Sequence, residues 1–230
     1  MAAVKRREPK MRQETVQRRE DILKAALTTF GSKGYKNGSL AEIAEQVDMT
    51  HAGVLHHFGS KDQLLLEVLS YRDKTDVAHL QGQHIPDGID LFRHLIKTAF
   101  MNMQRVGIVQ AYAVLSAESV TDEHPARAFF ETRYEVLRNE VRHAFRVVCA
   151  EHGVDDAQAI DDAAAAVLAV MDGLQVQWLL HPDEVNLARS TEFAIRAILS
   201  SVLSPQPSIL DEPAKETPNP RWDAAHFLNT

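Results

Sequence analysis

Three helix starts crowd into residues 39–60. Ser39, Thr50 and Ser60 each carry a short side-chain oxygen, the group that accepts from the free N–H donors at a helix N-terminus. Glu42 and Gln63 follow Ser39 and Ser60 by three positions, the capping-box spacing. Helices started this closely are only about two turns long. Val47-Asp48-Met49 is left to join the first pair. A longer helix precedes them, from about Thr15 to Lys33, with Ile22, Leu23, Ala26, Leu27 and Phe30 on one face and Gly34 at its end. The pattern predicts a three-helix, helix-turn-helix head whose last short helix is sized for a major groove about 12 Å wide.

The rest of the chain also reads as helix, so the predicted class is all-α. Beyond a loop at residues 81–88, helices are marked by Ile89, Phe92, Leu95, Ile96, Ala99, Phe100 and Met103, and by Val109, Tyr112, Ala113 and Leu115. A long one carries Phe130, Tyr134, Leu137, Val141, Phe145 and Val148. His181-Pro182-Asp183 separates the last two. Five of the nine prolines fall between Pro205 and Pro220, which predicts a mobile tail over residues 204–230. Trp222, Phe227 and Leu228 in that tail either dock on the body or mark an unstructured end.

The charge is divided. Residues 1–61 hold 11 Lys and Arg against 7 Asp and Glu, and the remainder holds 14 against 25. A basic head on an acidic body points to nucleic-acid contact through the head alone. Cys149 is the single cysteine, so an internal disulfide is excluded and a reducing cytoplasm is expected. The basic start (Lys5, Arg6, Arg7, Lys10, Arg12) has no apolar segment after it, unlike a signal peptide. The sequence predicts no apolar run of membrane-spanning length, and no membrane partner is expected.

Within the head, Thr50, His51, Ala52 and Gly53 open the groove-facing helix and are the candidates to face base edges. Ser39 presents a hydroxyl and free N–H groups toward phosphate, and Lys61 supplies a point charge. Residues 1–15 form a basic arm that either enters a minor groove or stays solvated. His56 and His57 are neighbours on a helix and diverge by about 100°, which disfavours a shared metal ion. No nucleophile–base set, metal cluster or cofactor motif is visible, which counts against a helical enzyme.

These residues resemble the start of a TetR-type transcriptional regulator over residues 16–76. The resemblance rests on Ile22-Leu23, Ala25-Ala26, Phe30, Gly34-Tyr35, Ser39-Leu40, Ile43-Ala44, Val47, Thr50, Leu55-His56-His57-Phe58, Ser60-Lys61 and Leu64-Leu65. It implies a helix-turn-helix at 39–58, a homodimer on a palindromic double-stranded DNA operator, and release by a small molecule. It also implies a helical effector and dimerisation domain over residues 77–203. Two positions depart from the family. Leu55 stands where the family usually has a phosphate-touching Tyr, leaving His56 or His57 as substitutes. Ala52 stands where Gly is usual, with Gly53 one place later. The stretch Asp172-Gly173-Leu174-Gln175, Trp178 and His181-Pro182 is similar to one subgroup of the family's effector domains.

For the body, the expectations are a small, largely apolar effector and a pocket drawn from Phe92, Phe100, Met103, Tyr112, Phe130, Tyr134 and Trp178. Ile160, Ala164, Val167, Met171, Leu174 and Trp178 recur at alternating steps of four and three. With Ile195, Ile198 and Val202 of the last helix they are the expected dimer interface, the alternative for the stripe being internal core. The alternative within the same fold is an activator or global regulator without a small-molecule effector.

Overall fold

The computed structural model describes residues 8–77 and 86–205, with the backbone alone at 8–12 and 75–77. Every regular element among them is an α-helix. In chain order these are α1 (Glu8–Asn37), α2 (Leu40–Gln46), α3 (His51–Phe58), α4 (Lys61–Val77), α5 (Ile89–Asn102), α6 (Val106–Glu118), α7 (Arg127–Glu151), α8 (Ala157–Leu180) and α9 (Leu187–Leu203). Lys5, Arg6 and Arg7 of the basic arm, residues 78–85, which include most of the expected loop at 81–88, and residues 206–230, with Trp222, Phe227 and Leu228, lie outside the described residues.

The head forms as its caps direct. Thr50 Oγ1 accepts from Gly53 N at 3.1 Å, and Ser60 Oγ from Gln63 N at 3.0 Å. Ser39 also caps α2, but without the reciprocal box. Its hydroxyl accepts from Ala41 N at 3.2 Å, while Glu42 is drawn away to Lys33 at 2.7 Å. α1 starts at Glu8 rather than near Thr15, so part of the expected arm is helix. It also runs past Lys33 to Asn37 across a kink at Gly34.

The head core of Ile22, Ala26, Phe30, Ile43, Val54, Phe58, Leu64 and Leu65 does not stop at the head. Ala111, Tyr112 and Leu115 of α6, with Phe130 of α7, belong to the same buried cluster. Each such side chain contributes about 1.5–3 kcal/mol when fully buried. Head and body are therefore welded along α1 and α6, not joined by a free linker. A second core lies among α5, α7, α8 and α9 around Phe92 and Phe145, whose rings meet at 4.7 Å. A third gathers Ala99, Val109, Trp178 and Leu187.

This packing corrects two expectations from the sequence. Ile160, Ala164, Val167, Trp178, Ile195 and Val202 are buried within the protomer, and Met171, Leu174 and Ile198 pack half-buried against the same cores. The stripe is thus the inner face of α8 and α9. The outer face carries exposed Val176, Leu180 and Phe193. The second correction concerns membrane length. α8 is long and apolar enough to cross a bilayer, because both its faces are rich in Ala and Val; its inner face packs on α7 and α9.

Candidate functional site

The DNA-facing candidates sit at helix starts. Ser39 precedes α2, Thr50 precedes α3 and Lys61 opens α4. Ser39, Thr50, His51, Ala52 and His56 are exposed, while Gly53, His57 and Lys61 are half-buried. The inward face of α3, Val54 and Phe58, anchors it to the head core. Its first turn is thereby left outward, the geometry a groove-reading helix needs. Arg19 of α1 holds the other end, donating to the His57 carbonyl, pairing with Glu67 and stacking over the Phe58 ring at 4.3 Å. Burial lowers the His57 pKa below its ordinary 6.5, helped by Arg19, His56 and Arg18. The His57 ring is therefore neutral at pH 7 and packs rather than carries charge. The His56 and His57 rings lie 6.0 Å apart, and no group of three metal-ligating side chains occurs among the described residues.

The body contains two neighbouring cavities. One of about 640 Å³ opens between α6, α7 and α8. One of about 150 Å³ lies between α4, α5, α7 and α8. Tyr112, Tyr134, Asp172 and Gln175 line both. Of the expected pocket residues, Tyr112, Phe130 and Tyr134 are there, their rings in contact at 5.5 and 6.5 Å. The others are elsewhere. Phe92 is core, Met103 and Trp178 belong to the third cluster, and Phe100 points to solvent with 60% of its surface exposed.

Helical periodicity carries no signal for the polar part of this wall. Tyr134 donates its hydroxyl to Asp172 Oδ2 at 2.5 Å. Burial raises the Asp172 pKa, against the lowering effects of that hydrogen bond and of Arg72 and Arg133. Arg72 of α4 lies over the Tyr112 ring at 4.2 Å and Arg133 of α7 at 5.3 Å; both pair with Asp73. Gln175 is 6% exposed, and its Oε1 is a buried acceptor without a hydrogen-bond partner. An aromatic surface with a carboxylate and an unused acceptor suits a cationic or donor-rich small molecule. The sequence signal for it is Asp172, the one charged residue between Ala163 and Leu180.

Residues 22–68 match the profile of bacterial regulatory proteins of the tetR family. Residues 90–203 match that of the C-terminal part of BetI-type transcriptional repressors. The chain belongs to the TetR family. This TetR-family regulator is 28% identical over 188 residues to the HTH-type transcriptional regulator BetI of Rhizobium meliloti (strain 1021), covering 79% of this chain and 87% of that protein. Among solved structures, a putative TetR-family regulator from Rhodococcus sp. shares the fold with a TM-score of 0.67 and 20% identity, over 82% of this chain and all of that one. A putative transcriptional regulator from Saccharomonospora viridis, in complex with choline, matches with a TM-score of 0.63 and 22% identity, over 80% of this chain and 96% of that one.

Proposed function

We propose that the chain is a cytoplasmic, dimeric repressor that binds a palindromic operator and is released when a small organic cation enters the cavity beside Tyr134 and Asp172. The observation that carries this reading is where the cavity walls come from. Arg72 lies on α4, the helix that Lys61 opens beside the recognition helix, and Tyr112 lies on α6, which shares a core with α1. An occupant touching these walls binds differently to two head positions, and a ligand shifts a two-state equilibrium only by such a difference.

A positive charge is added to the small, largely apolar effector expected from the sequence. Arg72 and Arg133 are engaged by Asp73 and by the Tyr112 ring. On the wall common to both cavities that leaves Gln175 Oε1, and the Asp172 carboxylate beyond its hydrogen bond from Tyr134, as groups for a ligand to satisfy. The choline held by the Saccharomonospora viridis protein is of this class. For dimerisation, exposed Val176, Leu180 and Phe193 support a reading of the outer face of α8 and α9 as the surface for a second copy. Two-fold symmetry then sets operator half-sites about one helical turn apart.

The test is a titration of operator binding and of melting temperature with choline and with 3,3-dimethylbutanol, its uncharged analogue of the same shape. Choline is expected to raise the melting temperature and weaken operator binding while the neutral analogue does neither. Equal responses to both would return the effector to the apolar class. Operator binding indifferent to every ligand that raises the melting temperature would favour the reading as a regulator without an effector.

A further inference from the structure

Glu118, the last residue of α6, reaches out of the body and into the head. Its Oε2 accepts the backbone N–H of Tyr35 at 2.8 Å. Gly34 makes room for it. At φ +74° that residue is in the left-handed region, and a β-carbon there would lie 2.0 Å from Glu118 Oε1. The carboxylate thus occupies the space that a side chain would fill at the end of α1.

Tyr35, held in this way, forms a platform. Its hydroxyl donates to the Asp62 carboxylate, and its ring meets the edge of His124 at 5.4 Å. The Lys61 ammonium lies over the ring face, 4.5 Å from its centre, and donates to the Lys36 carbonyl at 3.3 Å. A lysine stem is flexible, so a surface that orients its ammonium lowers the side-chain entropy lost when it meets a phosphate. Here the fixing surface is the Tyr35 ring, whose backbone is pinned by Glu118.

We infer that Glu118 is a positioning residue for DNA binding, setting the phosphate contact of Lys61 through the Tyr35 ring. The inference rests on the reading of Lys61 as a phosphate contact of an operator-binding regulator. It goes further by placing control of that contact on α6, whose preceding turn (Ala113, Ser116, Ala117) lines the larger cavity.

A double-mutant cycle on the full-length protein with an operator duplex tests it, measured as affinity against salt concentration. Lys61→Ala is expected to weaken binding to all sequences roughly tenfold and to reduce the salt slope by about one. Glu118→Ala should weaken it severalfold with a similar loss of slope, and the double variant should bind no worse than Lys61→Ala alone. Glu118→Gln keeps an acceptor for Tyr35 N and should bind as wild type does. If Glu118→Ala does not fold, Tyr35→Leu removes the platform, leaves the backbone contact and enters the same cycle. Additive losses, or weaker binding with an unchanged salt slope, would overturn the inference and leave the operator reading standing. An unaffected Lys61→Ala would overturn both the inference and the role of Lys61.

Discussion

Gly31 of α1 packs backbone to backbone on Ala111 of α6. A β-carbon at Gly31 would lie 3.0 Å from that of Ala111 and 3.1 Å from its Cα. This is a close backbone contact in the weld between head and body, and both partners are buried. Alanine in a helix is intrinsically favoured over glycine by up to about 1 kcal/mol. Against backbone atoms, however, the overlap has no flexible side chain to relieve it. Overpacking of this kind costs about 1–3 kcal/mol. Gly31→Ala is therefore expected to lower the melting temperature by about 2–4 °C in a domain of this size. It should also weaken operator binding by moving α1 relative to α6. An unchanged or raised melting temperature would show that the two helices yield at this point.

The outer and inner faces of α8 give opposite outcomes for the same substitution. Val176 is exposed and Phe193 on α9 has 76% of its surface exposed, whereas Val167 is completely buried. Val176→Glu with Phe193→Glu should produce folded monomers by light scattering, with the helical circular dichroism retained. Val167→Glu should unfold the protomer, because it buries an unpaired carboxylate in the second core. A dimer that survives the Val176 and Phe193 pair would remove this face from the interface.

The head was legible in the sequence because its signals are local. Caps at Ser39, Thr50 and Ser60 and the glycine at 34 act within a few residues of where they stand. The body was legible as helices but not as surfaces. Periodicity identifies the apolar stripe of Ile160 to Trp178 without saying what covers it, and α5, α7 and α9 of the same protomer do so. A helix with a second, sparser apolar face made of Val176 and Leu180 cannot be sorted into inside and outside from spacing alone. The polar wall at Tyr134 and Asp172 joins residues 38 positions apart, and Glu118 and Tyr35 are 83 apart. Such pairs leave no local pattern.

Sequence preference should follow the exposed first turn of α3. His51 is exposed there, while Val54 and Phe58 of the same helix are core. His51→Ala should leave the melting temperature unchanged within error and alter the ranking of operator variants by about 1–3 kcal/mol at one base pair of each half-site. Selection of preferred sites from a randomised duplex checks this. Identical selected sites for the two proteins would move base reading to Thr50 and Ala52.

The buried carboxylate makes both stability and ligand response depend on pH. Folding raises the Asp172 pKa from 3.8, chiefly through burial, so the native state holds this proton more tightly than the unfolded chain. The favourable contribution of the protonated group is fully present below about pH 3.8 and is lost as pH rises through the native value. Asp172→Asn keeps an acceptor for the Tyr134 hydroxyl and cannot ionise. The melting temperature of the variant relative to wild type should therefore be higher near pH 7 than near pH 4, because the raised native pKa returns the proton to the wild-type carboxyl as pH falls. The same variant removes the one carboxylate on the wall shared by the two cavities that no arginine pairs directly. Any stabilisation by choline at pH 7 should then fall at least tenfold in apparent affinity, and the residual binding should lose its pH dependence. A variant that keeps the full choline response would place the cation elsewhere than beside Asp172.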